Sequence, residues 1–389
     1  MRKPRLSVAM VAKNAARTYK PLFSSLREFV KRGGDCVLVD TGSTDSTPTI
    51  YRAFGFRVYE VGDKFQIKVP DDIREKVNAD AVALGDPPII DEGATLFHFA
   101  NARNYAASLA ENDWIMNPDA DEAFTTLDID AVEDAFGVAG RFQYDFVFSH
   151  NADGTPHLSF VTDTRLSNRL DWRWKGAVHE TNEPLHDKAK MIYLPPHVLK
   201  LEHWQVESPT RSNYLAGLAY ACNVEPWNDR NSHYYGRELL NRGWYRSAIK
   251  ELERHLKLSN WDTEKSQSMC FIGDAYRSLG DETSALEWWH KAIDLAPRRE
   301  PWMRIAQFYH GKDKPAKALP YVIGAMEIAD DHFYGHVPEY YTTWPYRLAY
   351  WAYWWTGNRA KAKDYWQAGI GLYPDYQVFK DDACFFKEN

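Results

Sequence analysis

The chain has 389 residues, a net charge of −7 and 26% charged residues. That length allows two domains, and the acidic balance excludes a protein that coats nucleic acid through overall charge, though not one with a local basic groove. Its four cysteines (Cys36, Cys222, Cys270 and Cys384) lie far apart with no zinc spacing, which favours reduced thiols in a cytoplasmic protein.

The opening MRKPRLSVAMVAKNA places basic residues before an apolar run, Leu6–Ala12. The run is too short for a signal sequence and meets Lys13 at once, so it reads as a first strand. No stretch approaches membrane-spanning length. Leu22, Leu26, Phe29 and Val30 predict a helix over 18–32, ended by Gly33-Gly34. The continuous apolar run Cys36–Val39 predicts a buried parallel strand. It stops at DTGSTD, residues 40–45, before a predicted helix from Ser46 to Phe54 and a strand over 57–61. This β-α-β-α-β order predicts a doubly wound sheet with ligands at the carboxyl ends of its strands.

Residues 62–96 are punctuated by proline and glycine, with a charged helical piece near 71–77, and read as an insertion or flap. Lys64, Lys68, Arg74 and Lys76 there could grip phosphates, but Asp63, Asp71, Asp72 and Glu75 dilute the patch, so a solvated flap is the plainer reading. A helix over 100–111 and the strand Trp114–Met116 lead to NPDADE, residues 117–122. Phe142, Tyr144, Phe146 and Phe148 alternate, which predicts a strand with one buried face. Further strands are expected near 157–166, 171–175 and 191–202, which completes a mixed α/β domain over 1–206.

From 207 to 389 the pattern is helical and repetitive. Gly236, Gly243 and Ala248 recur 37 residues later as Gly273, Gly280 and Ala285, then as Ala306, Asp313 and Ala318, then as Tyr350, Gly357 and Ala362. Small residues at these places let paired helices approach closely. The spacing resembles tetratricopeptide repeats and predicts an α-solenoid. Trp351, Trp354 and Trp355 suggest exposed aromatics through which the helical domain could dimerise, or else core.

NPDADE raises a chemical question, because it puts Asp119, Asp121 and Glu122 within four residues. Crowded carboxylates near a core need a positive partner: an Arg or Lys, a helix N-terminus or a metal ion. Asp119 and Asp121 after a buried strand could reach a ribose and a hard cation such as Mg2+ or Mn2+. Asp40, ending the second strand, sits where open sheets bind nucleotides, although DTGSTDST is also a good helix cap. Arg103 opens the helix before the acidic strand end, where its planar fork could face a base or diphosphate.

Taken together, SVAMVAKNA, VDTGSTDST, FHFANARN, DWIMNPDADE, RLSNRLDWRWKGAVHE and LKLEHW resemble the family 2 glycosyltransferases of the GT-A fold. The nearest likeness is to the bacterial and phage branch that carries tetratricopeptide repeats after a Rossmann-like catalytic domain. The resemblance implies an inverting hexosyltransferase, dependent on Mn2+ or Mg2+, that uses a UDP-sugar, with UDP-glucose or UDP-GlcNAc as the default donor. It places Asp40, Ala12, Lys13, Asn14 and Arg103 at the nucleotide, Asp119 near the ribose or a metal-bound water, and Asp121 on the metal. Glu180 is expected as the general base, with His179 as base or metal ligand. Arg165 and Arg169 are expected to clamp phosphate or order a loop. Trp172 and Trp174 are expected in the core, and His203-Trp204 matches a family position at the domain junction. The acceptor is a protein side chain or a modified DNA base. Two rival readings remain: a tetratricopeptide binding scaffold with an inactive transferase-like domain, and a glycosidase, which the nucleotide motif disfavours.

Overall fold

The apolar run Leu6–Ala12 becomes the middle of a sheet because both of its faces are covered. Side chains alternate across a strand, so Leu6, Val8, Met10 and Ala12 enter one core with Leu22, Leu26 and Phe29, while Ala9 enters a second core with Ala102 and Ala106. A computed structural model describes residues 2–204, 214–330 and 333–386. The boundary expected at 206/207 lies outside the described residues.

In chain order, the elements are β1 (Leu6–Ala12), α1 (Tyr19–Lys31), β2 (Asp35–Asp40), α2 (Thr47–Phe54), β3 (Arg57–Glu60), β4 (Gln66–Lys68), α3 (Asp71–Ala83), β5 (Thr95–Phe97), α4 (Phe99–Ser108) and β6 (Trp114–Met116). Then follow β7 (Glu122–Leu127), α5 (Ile129–Asp134), β8 (Arg141–His150), β9 (Pro156–Thr162), β10 (Leu166–Asn168), β11 (Trp172–Lys175), β12 (Thr181–Pro184), β13 (Met191–Tyr193), β14 (Leu199–His203) and α6 (Tyr214–Val224). The main sheet runs β3-β2-β1-β6-β10-β8-β14-β7, with β9 and β13 also on β8. Pairing is parallel from β3 to β6 and antiparallel where β10 joins, so the sheet is mixed. Ala12 pairs with Asp40, which sets both at the carboxyl edge.

Contacts divide the chain into two units, one of 1–79 with 88–224 and the other of 80–87 with 225–389. Helix α6 counts with the sheet unit, where Gly217 lies so close to Val178 that a Cβ would stand 2.8 Å from its Cγ1. Residues 80–87 of the expected flap count with the helical unit. There, Asp86 accepts from Ser247 Oγ, and Asp80 accepts from Lys250 Nζ at 3.0 Å. The charged piece expected near 71–77 is the longer helix α3. Its Arg74 pairs with Asp71 and Glu75, which leaves that cation neutralised on the flap.

The helical unit is a series of hairpins: α7 (Asp229–Asn241) with α8 (Tyr245–Leu258), α9 (Asp262–Ser278) with α10 (Glu282–Leu295), and α11 (Arg299–His310) with α12 (Pro315–Met326). The short α13 (Pro338–Tyr341) precedes the pair α14 (Thr343–Trp355) and α15 (Arg359–Leu372), and α16 (Gln377–Asp381) and α17 (Ala383–Phe386) end the described chain. The repeat positions now have a structural meaning. Gly243, Gly280, Asp313 and Gly357 are the hairpin turns, and all four have positive φ, between 53° and 89°. Ala248, Ala285, Ala318 and Ala362, where the second helix meets the first, are all fully buried. The C-terminal unit is therefore a tetratricopeptide-like helical array, and the N-terminal unit a mixed α/β sheet. Within the last hairpins Trp351 and Trp354 are half-buried, while Trp355 is exposed.

Close helix approach is directly testable at Gly273. A Cβ there would lie 2.4 Å from Trp289 Nε1 and 3.0 Å from the Ala285 carbonyl oxygen. Trp289 is fully buried and donates to the Cys270 carbonyl at 3.2 Å. Gly273→Ala is expected to lower stability by about 1–3 kcal/mol, despite a helix propensity gain of about 1 kcal/mol. Urea denaturation measures the difference, and an unchanged midpoint would show that the hairpin does not need this contact.

Candidate functional site

The acidic run NPDADE begins where β6 ends and closes on β7, so its carboxylates gather at one edge of the sheet. Asn117 anchors the turn. Its Nδ2 donates to the Ala9 carbonyl at 2.6 Å, its backbone N–H donates to the Arg165 carbonyl at 2.8 Å, and its Oδ1 accepts from Trp174 Nε1 at 3.3 Å. The positive partner that the run requires is arginine, twice over. Arg103 Nη2 donates to Asp119 Oδ1 at 2.7 Å, and its Nε donates to Glu180 Oε1 at 2.7 Å. Arg165 Nη2 reaches Asp119 Oδ2 at 2.5 Å and Glu122 Oε1 at 2.6 Å. Glu122 Oε2 also accepts from the backbone N–H of Asp119 at 2.9 Å. Arg103 lies 4.9 Å from the Trp174 ring centroid, which adds a cation–π contact.

Burial decides how strongly these groups interact. The Arg103 side chain is 7% exposed and that of Glu180 12%, whereas Asp119 keeps 37%. Burial disfavours the charge on Asp119, but Arg103 and Arg165 outweigh it and hold its pKa down at about 2. Glu122 moves the other way: burial raises its pKa, and Arg165 only partly restrains the rise. Asp121 stands apart from the arginines and faces His203, whose Nε2 lies 3.2 Å from Asp121 Oδ2. Burial lowers the His203 pKa, but the bond to Asp121 and its charge turn the net shift upward.

Several expected roles change in this geometry. Arg103 was expected to face a base or diphosphate, but its guanidinium is buried between Asp119 and Glu180. Glu180, the expected base, is engaged by Arg103. The expected metal ligands Asp119, Asp121 and His179 do not assemble. Both oxygens of Asp119 take arginines, Asp121 takes His203, and the His179 ring packs edge-on against Tyr214 at 5.2 Å. Among the described residues these three form no set of three converging ligand atoms. Arg165 holds Asp119 and Glu122. Arg169 pairs with Asp113 and donates to the Ala107 and Ala110 carbonyls at 2.5 and 3.1 Å, which closes the end of α4.

The DTGSTD loop serves its own backbone. Asp40 Oδ1 accepts from the N–H groups of Gly42 and Ser43 at 3.1 and 2.9 Å, and Asp40 Oδ2 accepts from Ser43 Oγ. Asn14, at φ 53°, accepts from the Thr44 N–H at 2.8 Å, and its own N–H donates to Ser43 Oγ at 2.8 Å. Ala12 is buried and Lys13 exposed beside this loop. Trp172 and Trp174 are core residues, as expected, and Arg141 lies 4.6 Å from the Trp172 ring centroid. Sequence reading missed Asn117 and Asn104 as site builders. Asn104 bonds both backbone groups of Trp174, at 2.8 and 3.1 Å. Both asparagines sat inside the quoted motifs, ARN and NPDADE, and that was their only signal.

The helical unit holds a polar concavity. A cavity of about 430 Å3 is lined by Asp274, Arg277 and Ser278 of α9, Arg304 and Gln307 of α11, and Tyr340 of α13. Each of the two long helices is the first of its hairpin. Asp274 holds Arg304 Nε with both carboxylate oxygens at 3.0 Å.

The repeat profile among the comparisons with known proteins falls on this helical half. The chain is 30% identical over 103 residues to the Photosystem I assembly protein Ycf3 of Cyanophora paradoxa, which covers 26% of this chain and 57% of that protein. Solved structures similar to it include MamA, at 15% identity and TM-score 0.35, covering 45% of this chain and 99% of that one. They also include YrrB, a TPR protein described as having an unusual peptide-binding site, at 17% identity and TM-score 0.32, covering 44% and 82%. Likenesses this distant carry no argument on their own. The curated relative is named an assembly protein and not an enzyme, which overturns the expectation of a hexosyltransferase. No helix among the described residues is long and apolar enough to cross a membrane. The profile of the tetratricopeptide repeat matches residues 266–299, the α9–α10 hairpin, so the chain carries a tetratricopeptide repeat.

Proposed function

We propose that the protein is a binding scaffold whose helical unit holds a peptide segment of a partner. The observation that carries this reading is the polar cavity between α9, α11 and α13, inside and next to the matched repeat. Its lining holds two guanidinium groups against one carboxylate. Asp274 satisfies part of Arg304, so the remaining positive character selects an acidic or carboxylate-terminated peptide. The assembly role in the name of the curated relative agrees with a scaffold.

The test is fluorescence anisotropy of the full chain with labelled peptides that end in a free carboxylate preceded by Asp or Glu. Saturable binding is expected, at least tenfold weaker in Arg277→Glu and weaker as salt rises. Binding that is equal in wild type and Arg277→Glu, or absent from every such peptide, would overturn the reading.

A further inference from the structure

Three buried side chains from consecutive helices converge inside the helical unit: His233 of α7, His255 of α8 and Glu264 of α9. Each can offer one ligand atom, and the three atoms lie within 4.8 Å of one another. His233 and His255 are fully buried, and Glu264 is 4% exposed. With both imidazoles neutral, one set of protonation states satisfies these hydrogen bonds. Glu264 accepts at both oxygens, from the Tyr334 hydroxyl at Oε1 and from His255 Nε2 at 3.1 Å at Oε2, so it is a carboxylate. His255 therefore carries its proton on Nε2, and its Nδ1 accepts from Ser268 Oγ at 2.9 Å. Ser268 Oγ has given its only proton, so it accepts from His233 Nδ1 at 2.9 Å. His233 is then protonated on Nδ1, and its buried Nε2 keeps a lone pair with no hydrogen-bond donor.

A buried acceptor without a donor is costly, and the His233 ring centroid lies 5.1 Å from that of His255, which bonds the carboxylate of Glu264. We propose that His233, His255 and Glu264 bind one divalent transition-metal ion of the zinc type. Two imidazoles and one carboxylate suit such an ion and disfavour Mg2+ and Ca2+, which demand oxygen ligands. For His255 to ligate through Nε2, its proton moves to Nδ1, where Ser268 Oγ accepts it with its second lone pair. Both rings then donate Nδ1–H to Ser268, an outer contact of the kind that orients metal-bound histidines. Glu264 and Ser268 lie four residues apart on one face of α9, so a single helix supplies both a ligand and the orienting hydroxyl. The ion would tie α7, α8 and α9 together as a structural clamp. Its ligands come from three helices and have no short sequence spacing, so no motif announces them.

The test uses the full chain stripped of metal and titrated with cobalt(II) alone. The expected result is a visible absorption band that saturates at one equivalent, is displaced by one equivalent of zinc(II), and is lost in His233→Gln. Zinc(II) should also raise the melting temperature of the wild type by about 5 °C. No saturable band, or a band unchanged in both His233→Gln and Glu264→Gln, would overturn the site. Should the variants fold poorly, the wild-type melt decides: no change with zinc(II) rejects the clamp.

Discussion

Arg103→Met is expected to lower the stability of the sheet unit by about 3 kcal/mol. Removing one partner of a buried ion pair strands the other, at a typical cost of about 3–5 kcal/mol. Glu180 is stranded in full, with its side chain 12% exposed, whereas Asp119 keeps Arg165 and is 37% exposed, which favours the lower end. For a unit of this size the loss corresponds to a fall of roughly 6–12 °C in melting temperature. Adding Glu180→Gln should recover part of it, because the stranded charge is then gone. Acid supplies the complementary readout. The folded pKa of Asp119, about 2, lies below the unfolded value of about 3.9. Its contribution is thus complete above about pH 4 and is lost as pH falls toward 2. Melting curves between these limits should fall less steeply in Arg103→Met than in wild type. A variant as stable as wild type would show that the network does not hold this edge together.

Glu300→Ala should do comparable damage to the helical unit, about 3–5 kcal/mol. Glu300 is fully buried, forms an ion pair with Arg298 Nη2 at 3.1 Å, and accepts from the Val337 N–H at 3.1 Å and the Tyr341 hydroxyl at 3.2 Å. Arg298, 1% exposed, also donates to Gln267 Oε1 at 2.7 Å and lies 4.3 Å from the Phe333 ring centroid. Deleting the carboxylate removes the ion-pair partner of a buried cation. The double variant Arg298→Met with Glu300→Gln should cost less than the sum of the two single changes, because neither charge is then stranded. Chemical denaturation of all four proteins gives the coupling, and additive losses would contradict a direct ion pair.

The parts of this fold that were legible in the sequence are those set by local pattern. Leu6–Ala12 and Trp114–Met116 are strands with the bounds their apolar runs predicted. The hairpin turns were visible as Gly243, Gly280, Asp313 and Gly357 because a positive φ restricts residue choice. What local pattern did not reveal is long-range pairing. Strand β7 starts at a buried Glu122, a residue that argues against a core strand until Arg165 arrives from 43 positions away. The acidic run signals a need for positive charge, and the family resemblance pointed to a metal ion there. Arg103 and Arg165 decide for arginine at Asp119, because each takes one of its oxygens. Glu180 meets Arg103 across 77 residues, and His203 meets Asp121 across 82, distances over which periodicity carries no information.

On the proposed reading, the helical groove binds the partner and the carboxylates at the sheet edge hold that edge together. Hydrogen exchange of the full chain, with and without the tightest carboxylate-terminated peptide, tests that division most directly. Protection on binding should appear in α9, α11 and α13 and spare residues 40–45 and 117–122. Protection concentrated on those two loops, with the helical groove unchanged, would contradict it.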